Sequence, residues 1–282
     1  MIKLDLKGID VEYTYNACAD GIVDKDKQAR YDKCLPELIN LADEYIDLGK
    51  QGSLYQIAAL TTNENDEPLV GSLFPDELKE LYTYYMVKRP VGRKAYDKIM
   101  AVAQEQCPFC GGIGNPRNLD HYLPKKYFPQ FSITPHNLIP ACRDCNMDGK
   151  ATNYAKKEED QIVHPYLDKD LFFEHQWIYA DYEDGQPGEI TYFVKAPDDW
   201  EESDKSRIEE HFRAFELARL YERMASSHLG ELLPQLNTMS EKFPDKPELI
   251  NEILLNPVIK RTEFKNHWKR VMYQAISQSL NV

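Results

Sequence analysis

Apolar residues recur at helical spacing in six stretches of the chain. In the first, YDKCLPELINLADEYIDLGKQ, they fall at every third or fourth position, which is typical of a helix that buries one face. In the second, Pro75 suits a first helical position, and the carboxylates of Asp76 and Glu77 favour a helix N-terminus. The six predicted helices cover residues 31–51, 75–88, 93–106, 204–236, 246–256 and 262–280.

Two regions alternate apolar and polar residues in the manner of strands. The start of the chain, IKLDLKGIDVEY, predicts a strand within residues 1–24. Residues 175–182 and 189–195 are typical of the two strands of a hairpin, because the turn-forming stretch EDGQPG separates them. Short strands among many helices predict an α+β fold with a mostly helical body.

Both periodicities fade between residues 107 and 157, where Gly, Pro, Asn and Cys are frequent. Two C-x-x-C pairs, CPFC and CRDC, occur in this region. Such pairs are the ligand set of a closed tetrahedral zinc site, in which thiolates fill every position and none is left for water. The pairs predict a structural Zn²⁺ site whose ligands are Cys107, Cys110, Cys142 and Cys145.

The segment between the two pairs is longer than the loop of an ordinary zinc ribbon. It holds 31 residues, against roughly 15 to 20 in a ribbon. Its apolar residues alternate with prolines, so an organised insert is favoured over a plain zinc knuckle with a disordered loop. An acid and a base, Asp120 and His121, are adjacent inside it, in the sequence NLDHYLPKK.

Four elements of this region together resemble the HNH, or ββα-metal, endonuclease family in its four-cysteine zinc form. They are, in order, CPFC, LDHYLPKKYFP, PHNLIPACRDCN and Lys150. The resemblance covers residues 107–150 and implies two strands and a helix around one divalent ion. It places Asp120 and His121 at the end of the first strand, Asn137 on the second and Asn146 on the helix.

The resemblance also implies the role of each side chain. His121 is the general base, since a neutral imidazole accepts a proton near neutral pH. Asp120 and Asn146 are oxygen ligands of a catalytic Mg²⁺, with Mn²⁺ as an alternative. Asn137 is expected to orient the imidazole through its other nitrogen. The expected substrate-binding side chains are those of Lys125, Lys126 and Lys150.

Several of these residues allow another interpretation or depart from the family pattern. Lys125 and Lys126 are explained most simply by the solubility of a loop, with contacts to the phosphate backbone as the alternative. The last metal position, commonly His in the family, is Asn146, as in the HNH domain of RNA-guided CRISPR nucleases, and this favours hard Mg²⁺. The spacing from Asn146 to Lys150 is one residue longer than is usual in the family.

Three further features are interpreted as structural. We expect His136 to be a solvated loop residue and His164, in HPYLD, to form a turn. The tyrosines in ELYTYYMVKRPVGRKAYDKI lie at helical spacing and predict core or interface positions. The whole chain is therefore expected to divide into a helical region at 1–104, a zinc-organised ββα-metal module at 105–160, and a hairpin with further helices at 161–282.

The distribution of charge restricts the class of nucleic-acid binder. The formal net charge of the chain is −13, which argues against a protein that coats nucleic acid through bulk electrostatics. Residues 107–157 carry seven basic and three acidic side chains, a net charge of +4, so the remainder carries −17. This uneven distribution fits a small phosphate-binding site. We expect a cytoplasmic protein, since no secretory signal or membrane-spanning segment is evident.

The resemblance implies metal-dependent hydrolysis of phosphodiester bonds in nucleic acid, with DNA expected rather than RNA. The helical flanks and HPYLD resemble bacterial anti-phage defence nucleases, among them HNH subunits of Septu-type and retron-associated systems that act with a partner ATPase. The alternative is a zinc-organised module that binds nucleic acid or protein without catalysis. Competent side chains at each catalytic position argue against that alternative.

Overall fold

The computed structural model describes residues 1–61, 66–150, 152–185, 188–262 and 264–280. The chain forms two compact units, Ile2–Lys169 and Asp170–Val282, and Met1 belongs with the second. Over the described residues the chain is mostly helical, and each unit contains one two-stranded antiparallel sheet. The predicted α+β fold is confirmed. The predicted three-part division of the chain stays a prediction.

The helices of the first unit start at the capping signals in the sequence. They are α1 (Val11–Ala19), α2 (Lys25–Lys50), α3 (Pro75–Glu80) and α4 (Pro90–Ala101). The side chain of Asp24 caps α2 by accepting hydrogen bonds from two main-chain N–H groups. Proline is the first residue of both α3 and α4. The predicted helices at 31–51, 75–88 and 93–106 are confirmed with different bounds. The first begins six residues earlier, at Lys25, and the second continues beyond α3 as a π-helical segment, Leu81–Met86. The third ends early, before Gln104 and Glu105 at positive φ.

The predicted N-terminal strand is wrong for the described residues. The N–H of Ile2 donates to the carbonyl of Pro108, and that of Leu4 to the carbonyl of Pro165. These two bonds run to different segments, so no ladder forms between paired strands. The alternation reflects burial instead, since Leu4 and Leu6 are both less than 9% exposed.

The sheet of the first unit lies between the two cysteine pairs. Strands β1 (Asn118–His121) and β2 (Leu138–Ala141) are antiparallel, with His121 opposite Leu138 and Asn118 opposite Ala141. A π-helical segment, Asp144–Lys150, follows β2. The order of strand, strand and helix is the one predicted, and the helix is wider than an α-helix.

The second unit contains the predicted hairpin and the C-terminal helices. Its elements are α5 (Leu171–Glu174), β3 (Ile178–Glu183), β4 (Glu189–Val194), α6 (Glu202–Ala214), α7 (Leu217–Lys242), α8 (Pro247–Ile250), α9 (Asn256–Arg261) and α10 (Trp268–Ser279). The hairpin is confirmed, although residues 186 and 187 of its turn lie outside the described residues.

Two of the predicted C-terminal helices differ from the observed ones. The helix predicted at 204–236 is divided into α6 and α7, because Glu216 adopts a left-handed conformation with φ of 48°. The helix predicted at 262–280 begins only at Trp268, where the side chain of His267 caps α10 by accepting from the N–H of Lys269. Residue 263 lies outside the described part of the chain. No described helix is long and apolar enough to cross a membrane.

Candidate active site

Four cysteine side chains converge in the first unit. The Sγ atoms of Cys107, Cys110, Cys142 and Cys145 all lie within 4.8 Å of one another, and all four residues are buried. Zn–S bonds of about 2.3 Å in a tetrahedron place the sulfurs about 3.8 Å apart, so this spacing suits one metal ion. The described residues contain no second group of three or more His, Cys, Asp or Glu side chains so arranged. The predicted ligand set therefore forms a cluster able to bind zinc.

Main-chain contacts shape the first cysteine pair around this cluster. The N–H of Cys107 donates to the carbonyl of Gly114, and the N–H of Gly112 to the carbonyl of Cys107, both at 2.9 Å. The N–H of Gly114 also donates to Sγ of Cys110 at 3.3 Å. A Cβ at Gly114 would lie only 2.6 Å from Sγ of Cys142, so only glycine fits there. The glycines of GGIG therefore belong to the cluster.

Asp120 and His121 end β1 and are buried, with 7% and 5% of their surface exposed. One carboxylate oxygen of Asp120, Oδ2, has no hydrogen-bond partner among the described residues. The nearby ammonium of Lys150 lies 3.8 Å from that oxygen. Burial raises the pKa of Asp120, and the charge of Lys150 opposes this shift. A buried oxygen with spare lone pairs fits a hard cation.

The imidazole of His121 has a defined tautomer. Its Nε2 lies 2.9 Å from the main-chain carbonyl of Ser132. Because a carbonyl only accepts, Nε2 carries the proton and Nδ1 keeps a lone pair. Burial, together with the charge of Lys125, lowers the pKa of His121 to about 3. The edge of the ring packs on Tyr82, with the ring centroids 4.4 Å apart. His121 is therefore a neutral base at neutral pH.

Asn137 does not make the contact that was predicted for it. Ser132, not Asn137, binds the second nitrogen of His121. The carboxamide of Asn137 accepts from the N–H of Leu123 at 2.7 Å and donates to the carbonyls of Leu123 and Phe131 at 3.1 Å. The reason is that the loop between β1 and β2 has main-chain groups that need partners. Asn137 thereby closes the loop that carries Ser132.

The buried side chains of Tyr45 and His164 form a hydrogen-bonded chain that ends on Asn137. The hydroxyl of Tyr45 donates to Oδ1 of Asn137 at 3.0 Å and lies 3.2 Å from Nε2 of His164. Nδ1 of His164 accepts from the N–H of Tyr166, so Nε2 carries the proton and donates to Tyr45. The N–H of His164 donates to Asp168, and the predicted turn at HPYLD is confirmed.

The three candidate substrate lysines occupy different environments. Lys125 is half-buried, with its ammonium 5.3 Å from the centre of the Tyr82 ring. Lys126 is exposed, and its ammonium lies over Tyr127. Lys150 is 5% exposed, and its ammonium donates to the main-chain carbonyl of His121 at 2.6 Å. Lys125 and Lys150 thus lie at the Asp120–His121 pair, whereas Lys126 faces solvent.

Asn146 is half-buried on the π-helical segment, directly after Cys145. Its N–H donates to the carbonyl of Cys142 at 3.0 Å. No hydrogen bond among the described residues joins Asn146 to Asp120, so their convergence on one ion stays a prediction. His136 is half-buried and its Nδ1 is buried without a hydrogen-bond partner in the described part of the chain, so the solvated position predicted for it is wrong.

Three residues of the site were not found from the sequence. Ser132 acts through its main-chain carbonyl, which any residue type supplies, so no sequence signal marks it. Tyr82 and Tyr45 lie in predicted helices, and their spacing was correctly taken to indicate burial. A tyrosine in a core needs a partner for its hydroxyl, and that need is the signal that could have linked both to the polar site.

The comparisons with known proteins give two relatives. The chain is 35% identical over 289 residues to protein ea31 of Escherichia phage lambda, an alignment that covers 99% of this chain and 98% of that protein. It is 28% identical over 102 residues to the Septu protein PtuB of Bacillus thuringiensis, across 34% of this chain and 38% of that one. No family model matches, so membership of the HNH family stays a prediction. No solved structure matches.

Proposed function

This chain belongs to the family of protein ea31 of Escherichia phage lambda, and we propose that it is a metal-dependent endonuclease. The observation that carries the proposal is the buried Asp120–His121 pair, in which one residue offers an unsatisfied carboxylate oxygen and the other a neutral ring nitrogen. The similarity to Septu protein PtuB supports a role in anti-phage defence. The reaction is hydrolysis of phosphodiester bonds in nucleic acid, with DNA as the preferred substrate.

His121 is the general base in this proposal. Its Nδ1 accepts a proton from the attacking water, because Nε2 is already protonated and bound to Ser132. The ring becomes positively charged as it takes up this proton. The carbonyl of Ser132 stabilises that charge and holds the ring in one orientation. Tyr82 limits rotation of the ring through their edge-to-face contact.

Asp120 and Asn146 are the proposed ligands of the catalytic ion, Mg²⁺ or Mn²⁺. The Oδ2 of Asp120, which has no hydrogen-bond partner among the described residues, fits such an ion, since carboxylate and carboxamide oxygens are hard ligands. When bound, the ion supplies positive charge that offsets the negative charge developing on the phosphate and the leaving oxygen. Asn137 is a positioning residue, because it closes the loop that carries Ser132.

The cysteine cluster has a separate, structural role. A Zn²⁺ ion bound by four thiolates has no open position for water or substrate. It joins the start of the module to the π-helical segment, since Cys107 and Cys110 precede β1 and Cys145 lies in that segment. Zinc held by the four cysteines would thereby fix Asn146, the residue that follows Cys145.

Lys125 and Lys126 are the proposed contacts to the phosphate backbone. Both lysines follow the Asp120–His121 pair in the chain, and both are at least partly exposed. The net charge of −13 gives the chain little non-specific affinity for nucleic acid. We therefore propose that a partner ATPase delivers the substrate. A purified chain that cut plasmid as fast alone as with its genomic neighbours would exclude required delivery.

The test of the proposed function compares the wild-type chain with His121→Ala on labelled DNA and RNA in Mg²⁺, with and without the genomic neighbours. We expect His121→Ala to abolish cleavage while zinc content is retained and the protein stays folded, with a lower melting temperature because a buried side chain is removed. The control is His175→Ala, which removes an exposed histidine from the other unit and should leave the rate unchanged. Cleavage retained by His121→Ala would refute the mechanism.

A non-catalytic binding module is the second candidate. The observation that favours it is the burial of Asp120 and His121, because substrate must reach both for catalysis. The same assay separates the two functions. A binding module would show equal nucleic-acid binding in the wild-type and His121→Ala proteins, and no cleavage by either in any combination of metal, substrate and neighbours.

A further inference from the structure

Lys150 is a buried lysine whose ammonium lies against β1 and the carboxylate of Asp120. Its side chain is 5% exposed, and the ammonium donates to the carbonyl of His121 at 2.6 Å. A buried charge is tolerated only where opposite charge or hydrogen bonds compensate it. The compensating charge here is the carboxylate of Asp120, whose Oδ2 is 3.8 Å away.

The same carboxylate oxygen is the one that the catalytic ion needs. Oδ2 of Asp120 has no hydrogen-bond partner among the described residues, and the Lys150 ammonium is held close to it. A divalent ion bound to this oxygen would lie about 2.1 Å from it. The ammonium and the ion would then be neighbouring cations on one carboxylate, in surroundings with little water to screen them.

From this geometry we infer that Lys150 is an internal counter-ion of Asp120 that competes with the divalent ion for the carboxylate. The inference rests on the proposed function, because that function places the ion on Asp120. It changes the role of Lys150 from a phosphate contact to a positioning residue. In the ion-free protein the ammonium of Lys150 forms an ion pair with the carboxylate of Asp120. When the divalent ion binds, the ammonium either moves away or remains beside a second positive charge.

A merely structural role for Lys150 predicts the opposite result when the lysine is removed. If Lys150 served only to fasten the π-helical segment to β1, its loss would loosen the segment that carries Asn146 and weaken ion binding. If Lys150 competes with the ion, its loss removes a repulsive charge and strengthens ion binding. The direction of the change in affinity therefore distinguishes the two roles.

The experiment measures Mn²⁺ binding by electron paramagnetic resonance of the free ion at pH 8, with zinc-loaded protein and no nucleic acid. In Lys150→Met, which keeps an unbranched apolar stem, we expect the Mn²⁺ Kd to fall by about fivefold or more. The control is Lys156→Met, which removes an exposed lysine of the same basic region and should change Kd by less than about twofold. Asp120→Asn should abolish Mn²⁺ binding when it is combined with either Lys150→Met or Lys156→Met.

An unchanged or higher Kd in a Lys150→Met protein with full zinc content would overturn the inference and leave the proposed function standing. If Lys150→Met does not fold, Lys150→Gln provides the same test, because it also removes the charge and keeps a polar donor. Absence of any Asp120-dependent Mn²⁺ binding in the wild-type chain would overturn both the inference and the ion of the proposed function.

Discussion

The hydroxyl of Tyr45 donates a 3.0 Å hydrogen bond to Oδ1 of Asn137, and neither side chain is exposed. This bond connects α2 to the loop between β1 and β2, and the loop in turn holds the imidazole of His121 through Ser132. A helix remote in sequence therefore helps to position the proposed base.

Tyr45→Phe should destabilise the protein by about 1 to 3 kcal/mol, because the buried N–H of His164 loses its acceptor and Asn137 loses a donor. The free energy of unfolding, measured by urea denaturation, checks this value. Tyr84→Phe is the control, since the Tyr84 side chain is partly exposed, and it should change stability by less than about 0.5 kcal/mol. Equal losses of unfolding free energy in the two variants would show that the Tyr45–Asn137 hydrogen bond does not stabilise the site.

Gly114→Ala should weaken metal binding by about tenfold or more, because the new methyl group would lie 2.6 Å from Sγ of Cys142. Competition with a chromophoric zinc chelator measures the affinity. The matched control is Gly230→Ala in α7, where a Cβ meets no atom within 4 Å. That change should leave zinc affinity unaltered and raise stability by about 0.5 to 1 kcal/mol. Normal zinc affinity in Gly114→Ala would show that the cysteine pairs are arranged differently.

Cys142→Ser should lose the metal and unfold the first unit's zinc-bound segment, since structural zinc contributes on the order of 10 to 16 kcal/mol of apparent binding free energy. Elemental analysis should give one zinc per wild-type chain and none per Cys142→Ser chain. Cys34→Ala, which removes a buried cysteine outside the cluster, should retain the zinc. One zinc per chain in Cys142→Ser would contradict the assignment of the ligands.

Acidification should destabilise the protein partly through His136. Burial, together with the charge of Lys50, lowers the pKa of His136 to about 4, against about 6.5 in an unfolded chain. As the pH falls through about 6.5 the unfolded state takes up a proton that the folded state does not, so the free energy of unfolding decreases until about pH 4. Solvent screening of this half-buried ring limits the loss to about 1 kcal/mol.

The measurement for His136 is urea denaturation at pH 7 and pH 5. His136→Gln should lose less stability between these values than the wild type, and the loss that remains includes His121, whose pKa is also lowered. His175→Gln, at an exposed histidine, should behave as the wild type. If all three proteins lost the same stability, the buried Nδ1 of His136 would have no part in the acid sensitivity.

Local signals were sufficient to predict most of the fold. The proline at the start of α3 acts within one turn of helix, so the sequence predicts that start directly. The cap at Asp24 was not identified, and α2 begins at Lys25, six residues before its predicted start. The N-terminal strand was not predictable in this way. The alternation in IKLDLK indicates that one side of the segment is buried. Whether the segment pairs as a strand depends on its hydrogen-bond partners, which are the carbonyls of Pro108 and Pro165 in two different segments.

The candidate site was predictable in its residue types and less so in its contacts. The spacing of the cysteines was enough to predict their cluster, because metal geometry permits few arrangements. The partner of His121 was assigned to Asn137, whose side chain can make such a bond, whereas the structure uses the main-chain carbonyl of Ser132. Main-chain partners depend on loop conformation, which side-chain identity does not encode.

The π-helical segment Asp144–Lys150 places one residue more between Cys145 and Lys150 than an α-helical turn would. In a π-helix each hydrogen bond spans five residues, whereas in an α-helix it spans four, so each hydrogen-bonded turn contains one more residue. The additional residue is accommodated on the solvent side, where Met147 and Asp148 are exposed. Cys145 and Lys150 can then both face inward, one to the cysteine cluster and the other to β1. The wider turn thus lets one short segment supply a ligand to the cysteine cluster and a buried cation to β1.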